Sequence, residues 1–331
     1  MSSLPDPWVQ GLASGWQVLG HTSRPPERLE CDVVVVGTGA GGGITAELLA
    51  RAGLRVVMLE EGPLKTSRDF NQLESEAYPT LYQESAARKT SDKAINILQG
   101  RCVGGSTTVN WTSSFRTPSD TLAHWRQHFG LTELTDDELA PYFQQAERRL
   151  SIAPWLVTPN QNNDLLRVGA ARLGVEAAAI ARNVKGCWNL GSCGLGCPTN
   201  AKQSQLLTGV PTALDRGATL LVNTRALRLM VVQGQVQSLV AEFSSSKSYS
   251  TLDIHGFSAI EIKARHYVVA GGAINSPALM LRSALPDPHG RLGQRTFLHP
   301  VVMSAATMDE RVEGWAGAPQ TIYSDHFLET Q

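Results

Sequence analysis

Unbroken apolar runs, rather than alternating ones, mark the strands expected at the core of this chain. Residues 31–36 and 54–59 are rich in valine, and residues 266–270 form a third run of the same kind. Such runs are typical of strands that are buried on both faces of a parallel sheet. Small, helix-tolerant residues at 40–52 separate the first two runs, so we predict a strand–helix–strand unit that opens a parallel sheet.

Shorter patterns predict the elements that follow this unit. Residues 65–99 are polar and irregular, and they are longer than an ordinary connection between two elements. This length indicates a loop with a functional role. Thr135 and Glu138 form a capping box for the second predicted helix, and Ser276 with Pro277 suits the start of the last one. Helices are predicted at residues 119–129, 136–150, 163–173 and 277–282. Strands are predicted at residues 219–223, 227–232, 236–243, 259–262 and 266–272.

Composition and charge disfavour several classes of partner and location. Lys and Arg (29) almost balance Asp and Glu (30), so no net field attracts nucleic acid or an anionic membrane. No stretch reaches the length of apolar sequence that a transmembrane helix needs, and the N-terminus lacks the apolar core of a signal peptide. Five cysteines do not suggest a disulfide scaffold. We therefore expect a cytoplasmic protein, and peripheral membrane association stays open.

The first glycine motif predicts a dinucleotide site. Residues 37–42 read G-T-G-A-G-G, in which Gly37 permits a tight turn, Gly39 admits a pyrophosphate and Gly42 lets the helix pack on its strand. The helix that follows presents unpaired N–H groups and a positive dipole end to the phosphates. Glu60 ends the next strand, where a carboxylate accepts hydrogen bonds from ribose hydroxyls and disfavours NADP.

A second glycine cluster favours FAD over NAD, which the first motif alone does not separate. Residues 100–111 read G-R-C-V-G-G-S-T-T-V-N-W, with paired glycines at Gly104 and Gly105. A loop without Cβ atoms at these positions lets backbone N–H groups approach a tricyclic ring and bond its edge. This cluster therefore disfavours an NAD-dependent dehydrogenase.

The order of the motifs resembles that of the glucose–methanol–choline (GMC) oxidoreductases. Residues 270–277, A-G-G-A-I-N-S-P, are similar to that family's second signature, and the resemblance extends from about Cys31 to Pro300. The loop at residues 193–204 is similar to the branch that contains long-chain alcohol oxidases and related bacterial dehydrogenases. The cofactor-binding residues that the resemblance implies are Gly37, Gly39, Gly42, Glu60, Arg101, Gly104, Gly105, Ser106, Asn110, Ala226 and Gly271.

The resemblance also implies how the cofactor is held and what it does. Some members attach FAD through a His just before the loop asparagine, but Val109 stands there, so non-covalent FAD is expected. Members of the family oxidise an alcohol, whose carbon gives hydride to the flavin while a base takes the hydroxyl proton. The resemblance leaves open which alcohol reacts and whether oxygen, a quinone or a cytochrome accepts the electrons.

The family's catalytic His lies late in its chains, and no matching segment precedes Gln331. The expectation is therefore a C-terminally truncated chain without assigned catalytic residues, and a non-catalytic FAD-binding fragment is the alternative. The fold expected is α/β, a doubly wound Rossmann-like FAD-binding domain with inserted helices and an incomplete substrate-binding α+β module. The domain bounds expected are 1–30 for an N-terminal arm, 31–298 for the FAD-binding domain with an insertion at about 119–205, and 299–331 for the start of the substrate-binding domain.

Three further groups of residues are weighed and set aside. Cys187, Cys193 and Cys197 invite a metal or iron–sulfur site, but such sites usually have four soft ligands and no fourth is evident. His124 and His128 share a helical face without the Glu of a zinc-protease motif. No metal site is predicted, and His299 is not assigned as the base.

Overall fold

The computed structural model describes residues 5–21, 23–244, 257–299 and 301–328. Pro300, where the family resemblance ends, lies outside the described residues, as do residues 1–4 and 329–331 at the predicted terminal domain bounds. The described residues form two compact units. One lies within Met1–Asn110, Leu195–Asn200 and Ser204–Ser304, and the other within Trp111–Gly194, Ala201–Gln203 and Ala305–Gln331.

The secondary structure of the described residues mixes helices and strands throughout. The strands are β1 (Gln17–Leu19), β2 (Arg28–Val36), β3 (Val56–Leu59), β4 (Ile152–Pro154), β5 (Ala178–Ala179), β6 (Ala181–Asn183), β7 (Thr219–Leu221), β8 (Thr224–Val232), β9 (Gln235–Ser244), β10 (Phe257–Val269) and β11 (Ile322–Tyr323). The helices are α1 (Pro7–Ala13), α2 (Ala40–Arg51), α3 (Glu74–Leu81), α4 (Ser106–Val109), α5 (Ser119–Phe129), α6 (Asp136–Arg149), α7 (Gln161–Arg172), α8 (Gly209–Asp215) and α9 (Gly272–Arg282).

A seven-stranded sheet in the order β1-β7-β3-β2-β10-β9-β8 organises the first unit. The first five strands of this order are parallel, and β9 and β8 continue the sheet in antiparallel pairing. Strand β2 is central, since it pairs with β3 on one side and β10 on the other. This arrangement confirms the α/β fold with a parallel sheet that the apolar runs predict.

Both faces of the sheet are covered by apolar cores. On β2, Val33 and Val35 belong to one core, and Val34 belongs to the other. Ala46 of α2 packs in the first core and Leu279 of α9 in the second. The valine run has no polar interruption because its successive side chains alternate between two apolar cores, one on each face of the sheet.

The end of the sheet differs from the sequence prediction in two ways. The strands predicted at 259–262 and 266–272 are one strand, β10, because the polar residues between them keep the parallel register and Lys263 pairs with Glu30. Helix α9 begins at Gly272 rather than Pro277, because two glycines complete the turn directly after β10 and Gly271 is the N-cap. Pro277 therefore lies inside the helix, and the prediction of Ser276 as N-cap is wrong.

Other elements refine the predicted pattern. Residues 65–99, predicted to be irregular, contain helix α3, whose first turn carries two glutamates. The N-terminal segment contributes α1, in which the buried Trp8 donates from Nε1 to the Leu206 carbonyl at 2.9 Å. It also contributes β1, which pairs in parallel with β7 at the edge of the sheet.

The second unit contains α5, α6 and α7 with two small two-stranded sheets. Helix α5 has the predicted bounds, and the predicted cap of α6 is confirmed, since Thr135 Oγ1 accepts from the Glu138 N–H at 3.1 Å. Acidic residues occupy the first turn of α6 and basic residues its last turn, which complements the helix dipole. No helix among the described residues has both the length and the apolar character needed to cross a membrane.

Candidate functional site

A cleft of about 350 Å³ opens at the carboxyl ends of β2, β3 and β10 in the first unit. Its lining includes Val36, Leu59 and Val269, the last residues of these three strands. The starts of α2 and α9 also line it, through Gly39 and Gly272. In doubly wound folds ligands bind beyond the carboxyl ends of the strands, where helix N-termini favour anionic groups.

The first glycine motif forms one wall of the cleft under tight steric constraint. Gly37 has φ +100°, and a Cβ there would lie 2.5 Å from the Ala270 carbonyl oxygen. A Cβ at Gly42 would overlap the Gly37 carbonyl oxygen, so α2 packs against its strand only through glycine. Gly39 is the N-cap of α2 in extended conformation and offers no side chain to the cap.

The second glycine cluster lies directly against the first. Gly105 has φ +53°, and a Cβ there would lie 2.9 Å from the Gly39 Cα. Gly104 has φ +88°, and its N–H donates to Thr38 Oγ1 at 3.0 Å. The two motifs are about sixty residues apart in sequence, and the fold joins them into one backbone-lined surface.

Glu60 is the buried carboxylate of the cleft. Its Oε2 accepts from Thr38 Oγ1 at 2.6 Å and from the Thr38 N–H at 3.2 Å, and its Oε1 accepts from the Gly62 N–H at 3.0 Å. Burial raises the pKa of Glu60 to about 7 against these three donors, which act to lower it. A carboxylate has about four acceptor positions, so one remains on Oε1 for a ligand hydroxyl.

The structure brings together most, but not all, of the predicted site residues. The lining of the cleft includes Gly37, Gly39, Glu60, Gly105, Ser106, Ala226 and Gly271. Gly42 and Gly104 lie behind this surface, where they shape the turn and the loop. Arg101 is turned toward Glu61, with 3.1 Å between Nε and Oε1, and Asn110 is exposed at the end of α4.

Sequence reasoning missed Arg88, a cleft-lining cation whose side chain is only 15% exposed. Its Nη1 donates to Gln99 Oε1 at 2.7 Å and to Asn275 Oδ1 at 3.4 Å, and its Nε donates to Glu84 at 2.9 Å. Two of these acceptors are uncharged amides, and Glu84 is 59% exposed and therefore screened. No periodic signal could have found Arg88, because it lies in the irregular stretch after α3.

The residues considered for metal binding are not clustered as a metal site requires. No group of three or more His, Cys, Asp or Glu side chains that could hold a metal occurs among the described residues. His124 and His128 pack ring to ring on α5, with centroids 4.4 Å apart. In the loop at residues 193–204, the backbone carbonyl of Cys193 accepts from Lys202 Nζ at 2.7 Å. The Sγ of Cys193 lies 3.6 Å from Arg182 Nη2.

Comparison with known proteins shows the family of this chain. The sequence model of the family described as GMC oxidoreductase matches residues 78–301, which is more than half of the chain. The chain therefore belongs to the GMC oxidoreductase family, as its motifs predict. An uncharacterized GMC-type oxidoreductase from Sinorhizobium fredii is 33% identical over 298 residues, covering 89% of this chain and 56% of that protein.

Two further relatives extend the comparison. A long-chain-alcohol oxidase from Arabidopsis thaliana is 27% identical over 323 residues, covering 96% of this chain and 42% of that protein. Among solved structures, pyridoxine 4-oxidase from Mesorbium loti superposes with a TM-score of 0.59 at 21% identity, over 77% of this chain and 52% of that one. That likeness concerns the fold. The chain spans about half the length of the curated relatives that it matches.

Proposed function

We propose that the cleft binds FAD and that the chain supplies the flavin platform of an oxidoreductase acting on the CH–OH group of donors. The observation that supports this most directly is the apposition of Gly39 and Gly105 beside the buried Glu60. One motif suits a dinucleotide diphosphate and ribose, and the other suits a ring that lies against backbone. A nicotinamide site does not need the second loop.

The residues present fit FAD. Gly37 and Gly39, at the start of α2, would receive the diphosphate, and the remaining acceptor of Glu60 would take a ribose hydroxyl. Gly105 and Ser106 would lie beside the flavin, and the backbone of Ala226 would lie near the adenine. Gly271, at the start of α9, lines the same cleft. The roles of Arg101 and Asn110 toward FAD, expected from the family, require these side chains to turn toward the cofactor.

The chemistry that FAD supplies when bound is acceptance of a hydride from the carbon that bears the hydroxyl group. This chain's residues would hold the cofactor, orient it and shield one face from water. An alcohol substrate is supported by the long-chain-alcohol oxidases among the relatives. No histidine is among the described residues that line the cleft. We therefore place the base that takes the hydroxyl proton outside the cleft. The same observation favours a non-catalytic FAD-binding fragment as the second candidate.

The organisation proposed around this site follows the domain bounds predicted from sequence. Residues 31–298 would act as the FAD-binding domain, with an insertion at about 119–205. Residues 1–30 would be an arm of that domain, and residues 299–331 would begin a substrate-binding domain. We further propose a cytoplasmic location, without nucleic acid as partner.

The proposal is tested by adding FAD, NAD or NADP to the purified chain of residues 1–331. We expect quenching of flavin fluorescence on binding, and no binding of either nicotinamide dinucleotide at similar concentration. Acid precipitation is expected to release all of the flavin to the supernatant, because Val109 has no group that bonds to it. Uptake of NAD without flavin would overturn the proposal, and flavin retained in the acid pellet would overturn its non-covalent part.

A further inference from the structure

Thr38, the second residue of the first glycine motif, is joined by hydrogen bonds both to Glu60 and to the second glycine cluster. Its side chain is fully buried although threonine is a polar residue. Thr38 Oγ1 lies 2.6 Å from Glu60 Oε2 and 3.0 Å from the Gly104 nitrogen. A single hydroxyl group therefore touches the turn after β2, the end of β3 and the second glycine cluster.

When Glu60 is ionised, above its pKa of about 7, the direction of both hydrogen bonds follows from the chemistry of the groups. The ionised Glu60 carboxylate only accepts, so the Thr38 hydroxyl donates its one proton to Oε2. The Gly104 N–H only donates, so it uses a lone pair of the same oxygen. The result is a continuous chain of hydrogen bonds from Gly104 through Thr38 to Glu60, in a place from which water is excluded.

We propose that Thr38 is a positioning residue that couples the two halves of the FAD site. This inference rests on the proposed function, because Glu60 and the Gly104–Gly105 loop are assigned to different parts of the cofactor. By filling Oε2, Thr38 leaves Oε1 as the atom that meets the ribose. By accepting from the Gly104 N–H, Thr38 holds the loop in the position in which Gly105 contacts Gly39.

The coupling has a consequence for the ionisation of Glu60. The Thr38 hydroxyl lowers the pKa of this carboxyl group, against the larger effect of burial, and the neighbouring Glu61 raises it. Removal of the hydroxyl is therefore expected to move the pKa of Glu60 upward. The other charged side chains that line the cleft are Arg88, Arg225 and Arg282. The Thr38 side chain hydrogen-bonds to Glu60 and Gly104 and to none of these three arginines.

The test compares Thr38→Val with Thr38→Ser, with Thr80→Val as a matched control. The hydroxyl of Thr80 donates to the Glu76 backbone carbonyl at 2.6 Å, and Thr80 does not line the cleft. The affinities for FAD and for ADP are measured by fluorescence and calorimetry between pH 5.5 and 9. Circular dichroism and the melting temperature confirm that each variant is folded.

We expect Thr38→Val to bind FAD on the order of 10-fold or more weakly, because a hydrogen bond to a charged group and one to a buried N–H are lost together. The loss of affinity for ADP in Thr38→Val should be smaller, because ADP does not reach the second glycine cluster. The pH midpoint of ADP binding should move upward in Thr38→Val. Thr38→Ser and Thr80→Val should keep the wild-type midpoint.

The outcomes separate the two proposals. Failure of the wild-type chain to bind FAD would refute the proposed function, whatever the variants do. If the wild type binds FAD and a folded Thr38→Val retains its affinity and pH midpoint, the role of Thr38 is refuted. Should Thr38→Val not fold, Thr38→Ala is measured instead. In a Glu60→Gln background the effect of either substitution should shrink at least severalfold, and an undiminished effect would contradict coupling through Glu60.

Discussion

Gly105 approaches Gly39 so closely that a Cβ on Gly105 would lie 2.9 Å from the Gly39 Cα. Real Cβ atoms do not sit at this distance from backbone, and the positive φ of Gly105 already disfavours any other residue. The contact joins a turn after β2 to a loop that lies far along the chain. It also predicts what happens when the contact is forced apart.

Substitution Gly105→Ala should displace the loop from Gly39 and weaken FAD binding on the order of 10-fold or more, since strain at such a position costs about 1–3 kcal/mol. Fluorescence titration measures the affinity. Gly130→Ala is the matched control, because Gly130 also has positive φ (+67°) but a Cβ there meets nothing within 4 Å. The control should lose stability but keep FAD affinity. Equal losses of affinity in both variants would show that strain alone is responsible.

The contribution of Glu60 to the stability of the unliganded protein should fall as pH rises from about 4.5 to 7. Burial raises the pKa of Glu60 from 4.5 to about 7, so in this window the folded state binds more protons than the unfolded state. The full effect is on the order of 3 kcal/mol at and above pH 7, at 1.36 kcal/mol per pKa unit. Urea unfolding of wild type and Glu60→Gln across pH 4.5–8 measures it. The variant should show a flatter profile, and identical profiles would contradict a buried, raised Glu60.

The affinity for FAD should depend on pH in the opposite sense. An ionised Glu60 accepts the ribose hydroxyl more strongly than a protonated one, so binding should strengthen as pH rises through about 7. Replacing Glu60 by Ala should weaken binding at least severalfold at pH 8, where a charge-assisted hydrogen bond is lost. Titrations at pH 6 and pH 8 check both statements. Affinity that is unchanged in Glu60→Ala would place Glu60 away from the ribose.

Arg88→Gln should weaken FAD binding and reduce its sensitivity to salt, while the affinity for riboflavin, which has no phosphate, stays the same. The guanidinium donates to the neutral amide oxygens of Gln99 and Asn275 and to Glu84, whose carboxylate is 59% exposed and therefore screened, so we expect part of the charge to act on a diphosphate. Arg126→Gln is the control, since Arg126 bonds the Leu134 carbonyl and does not line the cleft. An equal loss for riboflavin would indicate a general disturbance of the cleft instead.

The chain of residues 1–331 should not oxidise primary alcohols above the rate of free flavin. A positioned base is commonly worth about 10²–10⁴-fold in rate, and no histidine lines the described part of the cleft. The assay uses the FAD-loaded chain, short-chain and long-chain alcohols and an artificial electron acceptor. Turnover well above the free-flavin control would show that the base lies within this chain.

Much of the fold follows from local pattern. The valine runs predicted β2 and β3 because successive side chains of residues 33–36 and 56–59 alternate between two apolar cores, so that no polar residue interrupts these parts of the strands. Helix α5 was found at its predicted bounds, and the start of α9 was misplaced because Ser276 and Pro277 imitate a helix start within the helix. Two local signals for the start of α9 therefore compete, and the helix begins at the turn made by Gly271 and Gly272 rather than at Ser276 and Pro277.

The sequence alone determined the two glycine clusters and the acid that follows β3, and these define the turn and the family motif. Only the tertiary structure decided that Thr38 bonds Gly104 across 66 residues and that Arg88 meets Asn275 across 187. It also turned Arg101 toward Glu61 and left Asn110 exposed. Periodicity and motif spacing describe neighbours along the chain, whereas a buried hydrogen bond depends on where the whole sheet brings two distant segments together.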